Sequence, residues 1–207
     1  MAHGQTWLLV ATRNRGKLRE LSRLLDGSPF PLVSLDDVSI GDLVAETGAT
    51  LEENATLKAT EYARLTSLPT LADDSALEVA ALRGQPGARS ARFAGEQATD
   101  AENIALLLEK LIGVPDEALA ASFRCVIATA WPQRPVTLFS GECRGRIVRT
   151  PRGANGFGYD PVFFVPELGQ TMAELTQEQK DSISHRGIAA RKALQWLNRV
   201  ATDKERP

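Results

Sequence analysis

The chain has 207 residues, of which 43% are hydrophobic, 24% charged and 6% aromatic, and its 24 basic and 26 acidic side chains leave a formal charge of −2. That balance excludes a bulk-basic nucleic-acid binder and an acidic disordered tail, and the length fits a single α/β domain that buries roughly 70% of its unfolded surface. Cys125 and Cys143 are too few for a disulfide scaffold and lack the C-x-x-C spacing of a zinc site, so both read as buried thiols. Nowhere do about eighteen apolar residues run without a charge, and the start of the chain carries no signal core. The expectation is a soluble, cytoplasmic protein that contacts neither membrane nor nucleic acid.

Trp7 to Thr12 reads as a buried strand, after which Leu18, Leu21, Leu24 and Leu25 switch to helical period over Arg15 to Leu25. Pro31 to Leu35 is a second short strand, which gives a β-α-β opening, and an acidic linker follows from Asp36 to Glu46. Thr50, with Glu52 and Glu53 behind it, starts a long helix to about Thr66 whose Ala55, Ala59, Tyr62 and Ala63 face inward. Pro69 to Ala72 is a strand that ends at Asp73-Asp74-Ser75. Thr99 and Glu102 form a capping box for a helix over Ala101 to Ile112. Ser122 to Trp131 and Val136 to Arg149 form a hairpin across Pro132 to Pro135, with Gly141 a candidate bulge. The glycine-rich loop Gly153 to Gly158 leads into Pro161 to Val165. Ser184 caps a last amphipathic helix, Ile188 to Val200, which presents Ile188, Ala189, Leu194, Trp196 and Leu197. The result is one α/β domain with a mixed sheet, residues 1–207, drawn into two lobes.

Four stretches carry candidate chemistry. Thr12-Arg13-Asn14-Arg15-Gly16-Lys17 lies between a strand and a helix N-terminus, where backbone N–H groups and the helix dipole favour an anion. It is not a Walker A loop, because Ala11 and Leu18 stand where that pattern needs glycine and Ser or Thr. Asp73-Asp74-Ser75 reads as a strand end, where one carboxylate serves Mg²⁺ or a nucleophilic water and the other hydrogen-bonds locally; an Asx-type turn is the plain alternative. Gly153 to Asp160 lacks the G-x-G-x-x-G spacing of a dinucleotide fingerprint, and Phe157 and Tyr159 either wall a nucleobase or plug the core. Lys180 and Ser184-His185-Arg186 put cations at a helix head, which disfavours them unless they have a use such as phosphate or base recognition.

Taken together these stretches closely resemble the inosine triphosphate pyrophosphatase family, nearly collinearly from Leu9 to about Leu197. The specific pieces are A-T-R-N-R-G-K-L-R-E from Ala11, E-T-G-A-T-L-E-E-N-A from Glu46, A-D-D-S-A-L from Ala72, S-A-R-F-A-G from Ser90, G-F-G-Y-D-P from Gly156 and S-H-R from Ser184. The resemblance implies an elongated mixed sheet flanked by helices, two lobes around a central cleft, and a homodimer. It also implies Mg²⁺-dependent hydrolysis of ITP, dITP and XTP to the monophosphate and pyrophosphate. Carried over residue by residue, Thr12, Arg13, Asn14, Arg15, Gly16 and Lys17 bind phosphate, with Lys17 also catalytic. Asp74 is the catalytic acceptor and a metal ligand, with Glu46 the second ligand and Asp73 supporting the metal through its water shell. Ser75 touches substrate, and Phe157, Gly158, Tyr159, Asp160, Lys180, His185 and Arg186 form the base pocket.

The chain departs from that pattern in three places. Ala45-Glu46 replaces a pair of acidic residues, Ala76 stands where glycine follows D-D-S, and Asp181 stands where asparagine follows the lysine. The rival readings are a pyrophosphatase for modified pyrimidine nucleotides and a non-enzymatic nucleotide- or RNA-binding module. The second is disfavoured by the net charge and by the lack of aromatic residues within the basic turn.

Overall fold

The computed structural model describes residues 5–41, 44–131 and 134–204, with side chains through 202. His3, Asp42 of the acidic linker and the first two residues of the 132–135 turn lie outside the described residues. In chain order the elements are β1 (Leu8–Val10), α1 (Arg15–Leu24), β2 (Leu32–Ser34), α2 (Leu51–Thr66), β3 (Thr70–Val79), β4 (Pro86–Gly87) and α3 (Asp100–Lys110). Then come β5 (Ala120–Ala130), β6 (Thr137–Ile147), β7 (Phe163–Val165), β8 (Gln170–Thr171), α4 (Gln177–Ile183) and α5 (His185–Lys204). The strands form one mixed sheet in the order β2-β1-β3-β5-β6-β7-β8, with β4 added on β3. None of the helices is long and apolar enough to cross a membrane, among the described residues.

The chain divides into two compact units, and each is discontinuous in sequence. The first comprises Met1–Asp74, Cys125–Gly141 and Arg186–Pro207. In it β1 pairs in parallel with β2 and with β3, Leu8 opposite Leu32 and Leu9 opposite Thr70. A strand flanked on both sides in parallel is covered on both faces, which is why Leu8, Leu9 and Val10 form an unbroken apolar run and are all buried. The core gathers Leu8, Val10, Leu21, Leu71, Ile127 and Trp131 against the small residues Ala189, Ala190 and Ala193 of α5, which let the helix approach closely. The buried face of α5 is Ala189, Ala190, Ala193, Leu197 and Val200, so the predicted face is rotated, and Ile188, Leu194 and Trp196 sit at its margin. Trp196 packs edge-on against Trp131 and at a tilt against Phe139 there.

The second unit comprises Ser75–Arg124 and Glu142–His185. It has its own core, built on Leu77, Leu107, Leu111, Phe123, Ile147, Val162 and Phe163. Here the pairing is antiparallel: Leu77 lies opposite Gly87, Ile147 opposite Phe163 and Phe164 opposite Thr171. The predicted Thr99–Glu102 capping box is present and starts α3 at Asp100, one residue before the predicted Ala101.

Two predicted elements are corrected. The strand at Pro69 does not end at Asp73-Asp74-Ser75 but runs to Val79, so the motif is mid-strand and no Asx turn forms there. The strand continues through two acids because cations from other elements meet them, as described below. The predicted last helix is present as α5 but starts earlier, at His185, and an unpredicted helix, α4, precedes it. A Thr176–Gln179 capping box starts α4, and Ser184 is its extended C-cap (φ −67°, ψ 152°), directly followed by α5 at His185.

Candidate active site

The basic turn sits in the first unit. After β1, Ala11 N–H still donates to the Leu71 carbonyl at 2.8 Å before the chain turns. Asn14 N–H donates to Thr12 Oγ1 (3.3 Å), and Asn14 Oδ1 accepts from Lys17 N–H (3.0 Å), which caps α1. One first-turn donor, the Lys17 N–H, is therefore already taken by the cap. Arg13 is tethered to the Ile40 carbonyl at 2.7 Å, Arg15 is exposed, and Gly16 is buried against the core. Lys17 Nζ lies 3.2 Å from Asp73 Oδ2.

Because side chains alternate along a strand, Asp73 and Asp74 point to opposite faces of β3 and meet different partners. Asp73 faces Lys17, Cys125 (Sγ to Oδ2, 4.0 Å) and Arg186, whose Nε is 3.3 Å away. Arg186 Nη1 also donates to Glu20 Oε2 at 2.5 Å. Burial opposes the charge of Arg186, but Asp73 and Glu20 outweigh it and hold its pKa above the ordinary arginine value. Arg186 is only 2% exposed, so the structure places it in a buried ion cluster of the first unit. Asp73 likewise spends its Oδ2 on cations.

Asp74 meets α2 instead. Lys58 Nζ lies 3.6 Å from Asp74 Oδ1 and donates to Glu46 Oε1 at 2.6 Å, so one ammonium gathers the two carboxylates expected to bind metal. Glu46 is held there by the head of α2. Gly48 N–H donates to the buried Asn54 Oδ1 (2.8 Å), Ala49 N–H to Glu53 Oε2 (2.6 Å), and Thr50 caps the Glu53 N–H. Gly48 must be glycine, since a Cβ would come within 2.6 Å of Glu53 Cβ and 2.8 Å of Asn54 Oδ1. Ala45, its neighbour in the motif, is exposed. Burial pushes the Asp74 carboxyl above the ordinary range; Lys58 and Lys17 pull it down by less, and Glu46 and Asp73 add to the rise. For Lys58, burial works against the charge, yet Asp74, Asp73 and Glu46 together raise its pKa. The two shifts are not mirror images, because Lys58 answers to three carboxylates.

The second unit holds the other predicted residues. Ser75 is half-buried in β3. Phe157 N–H donates to Asp160 Oδ2 (2.9 Å), and the same oxygen accepts from Lys180 Nζ. Gly156 (φ +77°) has to be glycine, because a Cβ would meet that carboxylate oxygen at 2.0 Å. Asp160 is thus the brace of the loop and the counter-charge of Lys180. Lys180 also lies over the half-buried Phe157 ring at 5.2 Å. Tyr159 is buried and donates to the Ser90 carbonyl (2.8 Å), so it plugs the core rather than walling a ligand. Burial, and then the charge of Asp100, hold its phenol well above the ordinary tyrosine value. His185 is buried and stacked on Phe123, 4.7 Å between centroids and 15° between planes.

Sequence reasoning missed Glu20, Lys58 and Asp100. A signal existed for Lys58: it stands four residues after Asn54 and three after Ala55 on the inward face of α2, where a lysine needs a carboxylate partner.

The model of the Ham1 family matches residues 8–196. The chain is 55% identical over 184 residues to a Geobacter sulfurreducens protein named dITP/XTP pyrophosphatase, covering 89% of this chain and 92% of that one. It is 47% identical to a Geobacillus kaustophilus protein of the same name, covering 96% and 98%. Among solved structures, a HAM1 protein from Coxiella burnetii superposes with a TM-score of 0.85 at 42% identity, covering 94% of this chain and 100% of that one.

Proposed function

The chain belongs to the Ham1 family, and we propose that it is an Mg²⁺-dependent nucleoside-triphosphate pyrophosphatase that cleaves dITP, XTP and ITP to the monophosphate and pyrophosphate. The observation that carries this reading is the convergence of Asp74 and Glu46 on Lys58 in the same unit as the Lys17 turn. The donor set suits Mg²⁺, which takes oxygen ligands, needs only one or two carboxylates, and completes its shell with water and substrate phosphates. No cluster of three or more His, Cys, Asp or Glu side chains lies among the described residues, so the protein's own share would be Glu46 and Asp74. When bound, the cation would neutralise phosphate charge.

The remaining chemistry belongs to the chain. Asp74, with its basicity raised by burial, orients a water and accepts its proton as the water attacks the α-phosphorus, and pyrophosphate leaves. Lys17 contributes a positive charge at the phosphate turn. Lys58 keeps Asp74 and Glu46 together against their mutual repulsion. Phe157 offers a half-exposed ring for stacking any purine, and Lys180 and His185 offer N–H donors suited to a 6-oxo group and unsuited to the 6-amino group of adenine. Ser75 touches substrate in this reading. Arg186 is assigned to holding Glu20 and Asp73. The protein acts as a cytoplasmic homodimer that clears the nucleotide pool of deaminated purines.

The test is phosphate release, with inorganic pyrophosphatase added, over dITP, XTP, ITP, ATP, GTP and modified pyrimidine triphosphates, with and without Mg²⁺, alongside light scattering for the dimer. Preference for the deaminated purines with Mg²⁺ supports the reading. Preference for pyrimidines, or no turnover of any nucleotide that binds, overturns it.

A further inference from the structure

Asp100 belongs to no motif singled out in the sequence, yet it reaches the aromatic loop directly. Gly158 N–H donates to Asp100 Oδ2 at 2.7 Å, a contact 58 residues apart in sequence and wholly within the second unit. The loop around Gly158 is held on its other sides. Asn155 N–H donates to the Ala173 carbonyl and its Nδ2 to the Leu175 carbonyl, both at 3.0 Å, while Asp160 braces Phe157 and Tyr159 is pinned to Ser90. Between those anchors Gly158 sits in the left-handed region at φ +61°, with open space where a Cβ would be, so packing does not hold it there.

The platform that carries Asp100 is rigid without it. Thr99 and Glu102 cap α3 reciprocally, and Asn103 ties the helix to the preceding segment, accepting from Ala94 N–H (2.8 Å) and donating to the Ala91 carbonyl (3.1 Å). That segment, Ser90 to Gly95, includes the carbonyl that receives the Tyr159 hydroxyl. The S-A-R-F-A-G stretch therefore acts as a bracket, joining α3 to the loop through backbone groups. Asp100 itself is exposed, so the fold does not depend on its burial.

We propose that Asp100 is a positioning residue for the nucleobase: from the first turn of α3 it latches the Gly158 N–H and so presets the loop that presents Phe157. The inference rests on the reading that Phe157 stacks on the base. A preset loop lowers the ordering cost of binding, so loss of the latch raises KM and leaves kcat, measured with the loop already ordered by substrate, in place.

The experiment measures kcat, KM and Tm with dITP for the wild type, Asp100→Ala, Asp100→Asn and Phe157→Ala. One hydrogen bond of ordinary net strength predicts about a five-fold rise in KM for Asp100→Ala, with kcat held and Tm lowered by no more than about 4 °C. Asp100→Asn keeps an acceptor oxygen and returns KM most of the way. An unchanged KM in Asp100→Ala, beside a raised KM in Phe157→Ala, overturns the latch and leaves the base reading standing. Unchanged KM in Phe157→Ala overturns the base reading itself. A fall in kcat, or a fall in Tm beyond about 4 °C, in Asp100→Ala, or an Asp100→Asn enzyme no better than Asp100→Ala, assigns Asp100 a different role and overturns the proposal.

Discussion

Arg186→Ala separates the two jobs open to an arginine in the S-H-R stretch: reading a base, or neutralising buried acids. The guanidinium is 2% exposed and spans Asp73 at 3.3 Å and Glu20 at 2.5 Å, both of them buried. Breaking a buried pair by removing one partner costs about 3–5 kcal/mol, because the other charge stays behind without compensation. For a protein of this length each kcal/mol shifts Tm by about 2–4 °C, so the expected fall is roughly 6–20 °C. A second variant checks the cause. Adding Glu20→Gln to Arg186→Ala removes one of the stranded charges and recovers part of the loss, which independent sites would not do. The assays are scanning calorimetry at neutral pH and kcat/KM for dITP and ATP. A Tm within about 2 °C of wild type, with the dITP-to-ATP ratio collapsed, would refute the ion-cluster account and restore Arg186 to the base.

Three further outcomes are expected. Asp74→Asn lowers kcat by about 10²–10⁴-fold while dITP binding, read by titration calorimetry, is largely kept, since the amide preserves shape and removes the proton acceptor. Lys17→Ala weakens the triphosphate by about 10- to 100-fold and the nucleoside little, because a charge-assisted contact to phosphate is lost; equal losses for ITP and inosine in the same titration would count against the phosphate turn. Burial, with smaller contributions from Glu167 and Glu142, pushes the Cys143 thiol up to about 11. It should therefore resist a disulfide reagent at neutral pH, and the stability it contributes is full below its ordinary value near 9 and is lost as pH rises from there toward 11, which chemical denaturation across that range checks.

Features set by residues near one another in sequence were legible. Thr50 and Thr99 each begin the helix their spacing predicts, and the β1-α1-β2 opening follows from a change of apolar period. The Thr176–Gln179 capping box carried the same kind of signal, and it was the cue for α4 that the reading passed over. Asp73-Asp74-Ser75 misled for a physical reason. Its composition favours a turn, and what keeps it extended is a set of cations delivered by α1, α2 and α5, each at least fifteen residues away along the chain. The site shows the same division. Motifs pointed to Asp74, Glu46 and Lys17 as candidates, whereas Lys58, Glu20 and Asp100 stand out only through their contacts with other segments. Tyr159 and Phe157, two residues apart in one motif, have opposite fates, one sealed by the Ser90 carbonyl and the other half-exposed.

In the proposed mechanism, the division of roles between the adjacent acids rests on the strand that carries them. The two-residue period of β3 forces Asp73 and Asp74 to opposite faces, so their roles are set by what each face receives. One face receives a lysine from α1 and a guanidinium from α5, and Asp73 becomes the buried anchor that orients Lys17. The other receives a single lysine, shared with Glu46, and there burial, helped by the charges of Glu46 and Asp73, leaves the Asp74 carboxyl above its ordinary value despite Lys58 and Lys17. An acid meant to accept a proton must hold on to its basicity, and an acid meant to position a cation must not compete for one. A shift of register by one residue would exchange the two faces and place the cation anchor where the base is needed, which is why the strand has to run straight through the motif instead of turning at it.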